Sequence, residues 1–179
     1  MQKLNQQPDI CPYFSPEFKV IPQYIIMKEG ECMELNNRTT SFFIFILSGE
    51  ITISFEQYTN RSVLENEMFF LPKNNCFKWK AVTQTVLILT GYNATIFPCT
   101  SVRARILYKI KAGVKFDCRG VVMKDEVKVV VNQMKHYLES GINCHHMYIL
   151  KHKGLYLMFK HFYTYEEIIQ IFYLILGSN

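Results

Sequence analysis

The sequence predicts an α+β fold in which an antiparallel β-barrel or jelly roll is followed by a bundle of about three α-helices. Three observations carry that expectation. Between residues 42 and 92, short apolar runs alternate with turn residues at Gly49-Glu50, Asn66-Glu67 and Pro72-Lys73-Asn74-Asn75. From Met123 onward the hydrophobic period changes from two to about 3.6. Helix stop and start signals then appear at Gly141, Asn143 and Thr164. The boundary falls between residues 1–120, an N-terminal arm and barrel, and residues 121–179, a helical region.

Taken in order, Pro8, Pro12, Pro16 and Pro22 keep the leader from being helical, and short strands are expected at 18–21 and 24–27. Gly30 turns the chain before Cys32-Met33-Glu34-Leu35. Phe42-Phe43-Ile44-Phe45-Ile46-Leu47 is an unbroken aromatic and β-branched run, too short for a helix, that closes at Ser48-Gly49. Ile51-Thr52-Ile53-Ser54-Phe55 alternates apolar with polar, the mark of a strand with one buried face. Met68-Phe69-Phe70-Leu71 stops at Pro72, and Phe77-Lys78-Trp79-Lys80 alternates again before Thr85-Val86-Leu87-Ile88-Leu89. Five turn-separated strands in about fifty residues imply a sandwich or barrel. The stretch 103–111, apolar and basic, fits either a helical turn or a connecting strand.

The helical region has three segments. Val127, Val130, Val131, Met134 and Leu138 form one stripe, with Gly141 as the stop. The second segment starts at Asn143 as N-cap and runs through Met147, Leu150, Leu155, Met158, Phe159 and Phe162, with Gly154 weakening its middle. The third opens with a capping box, Thr164-Tyr165-Glu166-Glu167, and continues to Gly177.

With 179 residues, 49% hydrophobic and 20% charged, the chain is long enough to bury a core. Its N-terminus is polar, without an apolar signal core, so a cytoplasmic location is expected. The apolar run 168–176 is far shorter than the roughly 20 residues that span a bilayer. The six cysteines form no CxxC pair, which argues for free thiols. Charge is uneven: residues 1–101 carry 8 Lys and Arg against 9 Asp and Glu, and residues 102–179 carry 12 against 6. A solvated basic helix face explains this more simply than nucleic acid does.

The segments Tyr137-Leu138-Glu139-Ser140-Gly141-Ile142-Asn143-Cys144, Lys151-His152-Lys153-Gly154-Leu155-Tyr156-Leu157-Met158-Phe159-Lys160, Tyr163-Thr164-Tyr165-Glu166-Glu167 and Ile175-Leu176-Gly177 closely resemble the helical region of a bacterial subgroup of AraC-type transcription regulators. Residues 41–92 are similar to that family's cupin-like effector-binding barrel. The resemblance implies a regulatory module that senses a small-molecule effector, a sugar or another metabolite, and forms a homodimer through its helices. In the family a DNA-binding domain with two helix-turn-helix units follows, and here the sequence stops at Asn179; DNA contact is therefore expected only through a missing domain. The resemblance places Trp79 at a sugar-contacting aromatic position and Ser48 at a polar ligand contact. Phe77 stands where the second motif of cupin enzymes places a metal ligand. Phe77 and Trp79 are candidates for ligand contact or for core filling, since an aromatic face stacks on a sugar as readily as it fills a barrel. Val127, Val130, Met134, Leu138, Met147 and Leu155 are the candidate dimerisation residues, with intramolecular packing as the competing role.

Residues 1–101 contain no histidine, so a cupin-type metal centre is not expected, no cofactor is expected, and the chain is expected not to be an enzyme. Cys144-His145-His146 reads as a surface cluster, because helical neighbours point about 100° apart. Glu50 with Arg61 mimics a cyclic-nucleotide pocket, but Gly49-Glu50 lies in a tight turn without the helix N-terminus such a pocket needs. A metal-dependent cupin enzyme and a cyclic-nucleotide-type sensor are the competing readings.

Overall fold

The computed structural model describes residues 22–92 except 38 and 57, residues 104, 107 and 108, and residues 119–176 except 143. The expected strand at 18–21, the proline-rich arm and most of 103–111 lie outside these residues.

Among the described residues, nine strands and three helices follow in order: β1 (Gln23–Met27), β2 (Cys32–Asn37), β3 (Ser41–Ser48), β4 (Glu50–Phe55), β5 (Tyr58–Leu64), β6 (Glu67–Leu71), β7 (Asn75–Ala81), β8 (Thr85–Tyr92), β9 (Val121–Val122), α1 (Asp125–Glu139), α2 (His145–Phe162) and α3 (Tyr165–Leu176). One sheet has the order β1-β8-β3-β6-β9 and the other β2-β7-β4-β5, with all pairs antiparallel. The first eight strands thus divide as 1-8-3-6 and 2-7-4-5, the arrangement of an eight-stranded jelly roll. The expected α+β architecture is the observed one.

Two strands escape the sequence reading. β5 is an edge strand, exposed over Thr59 to Ser62, and its polar residues give no alternation to detect. β9 is two residues long and pairs with Glu67 and Met68 of β6.

The continuous apolar run of β3 has a structural reason. Ile44 and Ile46 enter the space between the sheets, where Met27, Ile51, Ile53, Phe55, Phe69 and Trp79 also pack. Phe43 and Phe45 point the other way, into a second core formed with Val127, Val131, Met134, Tyr148, Phe159 and Phe172 of the helices. The strand is buried on both faces, which removes any reason for polar residues along it. The molecule therefore has three layers: the β2-β7-β4-β5 sheet, the β1-β8-β3-β6-β9 sheet, and a helical cover on the outer face of the latter. Burying Phe43 and Phe45 contributes about 1.5–3 kcal/mol each.

The helix ends follow local chemistry. α1 ends in Ser140 and then Gly141 at φ +69, with Gly141 N–H donating to Leu138 O at 3.1 Å and Ile142 N–H to Tyr137 O at 2.9 Å, a Schellman motif. The expected capping box of α3 is present: Thr164 N–H donates to Glu167 Oε2 at 2.8 Å and Glu167 N–H to Thr164 Oγ1 at 3.3 Å. α2 departs from expectation, since its N-cap is Cys144 rather than Asn143 and no side chain caps it. Tyr163 ties the helices to β9: its hydroxyl donates to Val122 O at 3.1 Å and accepts Lys124 N–H at 2.8 Å. A second tie is buried, with Thr90 Oγ1 of β8 within 2.6 Å of His152 Nε2 of α2.

Candidate functional site

Strand β7 sits in the middle of the four-stranded sheet, between β2 and β4, and alternates strictly between buried and exposed residues. Phe77, Trp79 and Ala81 enter the barrel, and Cys76, Lys78 and Lys80 stand on the outer face. Both candidate aromatics are therefore interior side chains: Phe77 is 0% and Trp79 2% exposed. Phe77 packs against Phe55 with centroids 4.7 Å apart, and Phe55 in turn meets Tyr58 and Phe69. Phe77 thus lies within an apolar cluster inside the barrel, where core filling and contact with an interior ligand are both open to it.

Trp79 differs in one respect. Its indole Nε1 is buried and has no hydrogen-bond partner among the described residues. A buried donor left without an acceptor costs about 1–3 kcal/mol. Ser48, the third candidate, lies half-buried on β3 at the corner leading to Gly49, where the β3–β8 register shifts between Ile46 and Ser48. It belongs to the opposite sheet from Phe77 and Trp79, so the fold does not align the three on one strand pair.

The helix stripe turns inward. Val127 and Met134 are 0% exposed and Leu155 2%, all within the core shared with the barrel, and Val130 and Leu138 pack partly buried against the same core. Met147 is half-buried. Val127, Met134 and Leu155 thus take the packing role within the chain, between sheet and helices. The exposed apolar side chains of this region include Val129 at 57%, Leu150 at 66% and Leu157 at 60%. Sequence periodicity located the buried stripe but could not tell which partner covers it.

The competing sites fare as follows. Among the described residues, no three His, Cys, Asp or Glu side chains converge as metal ligands. Cys144 is exposed, and the side chain of His145 is outside the described set. Glu50 pairs with Leu64 and Arg61 with Ile53, three residues apart along β4, and the Arg61 guanidinium lies over the Tyr58 ring at 5.9 Å. The Glu50 and Arg61 pair therefore does not form a pocket. No helix of the described residues is long and apolar enough to cross a membrane.

The jelly roll with an apolar interior defines a cupin-like barrel, the class expected from the sequence. Neither a protein-family model nor a curated protein matches the chain. Solved structures do. The cupin domain of Schizosaccharomyces pombe Cnp3 is similar at 19% identity and a TM-score of 0.40, covering 46% of this chain and 59% of that one. A cupin superfamily protein from Desulfitobacterium hafniense is similar at 15% identity and a TM-score of 0.38, covering 40% of this chain and 65% of that one. FeII HppE in complex with substrate is similar at 14% identity and a TM-score of 0.37, covering 41% of this chain and 45% of that one. The chain spans less than two thirds of the length of these structures, and at these identities the likeness is one of fold. It nonetheless corrects one expectation. A chain of similar fold holds iron and a substrate, so the assignment of this chain as not an enzyme is withdrawn; the likeness does not make it one.

Proposed function

We propose that the chain is the regulatory part of an AraC-type transcription regulator, acting in the cytoplasm by binding a small-molecule effector in its barrel. The observation that carries this reading is Trp79, whose buried Nε1 has no acceptor among the described residues, inside an otherwise apolar cluster. An effector bearing a hydroxyl or carbonyl oxygen beside the indole would satisfy that donor, while ring faces supply contact area.

The shared wall supports a route for the signal. Ile44 and Ile46 belong to the barrel interior, and Phe43 and Phe45, their neighbours in sequence, belong to the helical core. Accommodating a ligand inside the barrel moves residues whose neighbours hold α1 and α2, so an effector that favours one barrel arrangement also favours one helix arrangement. A second copy of the chain would meet the exposed Leu150 and Leu157 of α2, which lie one heptad apart.

A thermal-shift screen of sugars and small metabolites on the chain and on Trp79→Phe tests the reading. A molecule that stabilises the parent but loses most of that effect in the variant supports it. If every stabilising molecule acts equally on both, Trp79 is only core and the barrel reading fails.

A further inference from the structure

We propose a second binding site, on the outer face of the four-stranded sheet, for a small organic molecule bearing a phosphate or carboxylate group. This face forms a groove of about 420 Å³ lined by Cys32, Glu34, Thr52, Ser54, Lys78 and Lys80, among others. That volume falls within the roughly 300–1,000 Å³ of small-molecule sites.

Register builds the groove from two rungs. One carries Cys32, Lys80 and Thr52 across β2, β7 and β4; the next carries Glu34, Lys78 and Ser54. The two lysines rise from the same face of the central strand, about 6.7 Å apart at their backbones. Beyond Ser54 lies Asn60 of β5, whose N–H donates to Ser54 Oγ at 2.9 Å and fixes that hydroxyl at the groove edge.

A solvated sheet face pairs opposite charges across its rungs. Here the pairing is open to Glu34 and Lys78, which stand directly opposite, but it is not made. The Glu34 carboxylate instead accepts the Cys76 thiol at 3.1 Å, and among the described residues neither Lys78 nor Lys80 takes part in an ion pair. The lining thus carries two ammonium groups and one carboxylate, a net of one positive charge, with no ion pair made between them among the described residues and hydroxyl groups beside them. An anionic group bridging the two ammoniums gains two charge-assisted hydrogen bonds.

Calorimetric titration of the full chain with glycerol 3-phosphate and with glycerate, against uncharged glycerol, tests the proposal and separates the phosphate from the carboxylate source. Saturable binding of at least one anion, with none for glycerol, is expected. In Lys78→Gln/Lys80→Gln that binding should weaken about tenfold or more. Both lysines are exposed, so an unchanged melting temperature shows that the variant folds. Equal affinity in the double variant, or anions that bind no better than glycerol, overturns the proposal. Trp79 also borders this groove, so the lysine pair separates the two readings: Lys78→Gln/Lys80→Gln, whose side chains stand on the outer face, should lose anion binding while leaving any interior effect of the thermal-shift screen intact. Failure of one reading is therefore visible apart from failure of the other.

Discussion

Gly49 holds the β3–β4 corner at φ +85, and a Cβ placed there would run into the Gln84 carbonyl oxygen and come within 2.7 Å of the Thr85 hydroxyl. Gly49→Ala therefore faces both an unfavourable backbone region and a clash with the Gln84 backbone. It should lower unfolding free energy by more than about 1 kcal/mol in urea denaturation, and Gly141→Ala, at φ +69 in open space, by less. Cys76 offers a chemical readout. Its hydrogen bond to Glu34 raises the thiol above its ordinary range, with some desolvation and the Glu34 charge adding and Lys78 opposing. Glu34→Gln should speed alkylation of Cys76 by iodoacetamide at mildly alkaline pH, and an unchanged rate would show that Glu34 does not govern the thiol. Residue types in β7 were legible in advance, since alternation alone separates Trp79 from Lys78 and Lys80. The unpaired Nε1 of Trp79 was not, because an acceptor is supplied or withheld by strands distant in sequence.

Elements read well where one face decides their pattern. β4 and β7 alternate because one side of their sheet meets water, and α1 shows its stripe because one side meets the barrel. β5 was hidden because its pairing with β4 rests on backbone bonds, and its exposed side chains face no core. The two cores divided by β3 can be told apart experimentally. Phe43→Ala should cost about 3–5 kcal/mol and Ile44→Ala about 2–5 kcal/mol. Hydrogen exchange should rise first in the helices for Phe43→Ala and in the four-stranded sheet for Ile44→Ala. Identical exchange patterns would mean that the cores open as one unit. The Tyr163 latch predicts a pH dependence. Burial, countered by the Lys124 N–H and supported by Glu167 and Glu126, pushes Tyr163 up to about 12, and burial does the same for Tyr148. Folded protein then holds these protons where the unfolded chain has released them, so stability is intact below pH about 10 and falls as pH rises from there toward 12. Urea denaturation between pH 9 and 11 should show that fall, made shallower in Tyr163→Phe.

For the whole molecule, the layer order was legible and the covering of each layer was not. A change of period at Met123 announces helices, yet Val127, Met134 and Leu155 could have faced a second chain as easily as the β1-β8-β3-β6-β9 sheet until the fold placed them. On the proposed function, sedimentation should show a particle of twice 21.1 kDa, and Leu150→Glu/Leu157→Glu should return it to one chain. A single-chain particle at high concentration would remove the dimer from the proposal. The doubly buried β3 has a further cost for folding. Most strands find their register because slipping by one residue would bring apolar groups into water. Along Phe42 to Leu47 such a slip only exchanges one apolar face for the other. What pins the strand is instead its end, where the Gly49 corner and the offset between Ile46 and Ser48 admit one alignment with β8. The chain thus stores the address of its central strand in a turn of a few residues, and a lesion there should populate misaligned, slowly correcting forms during refolding.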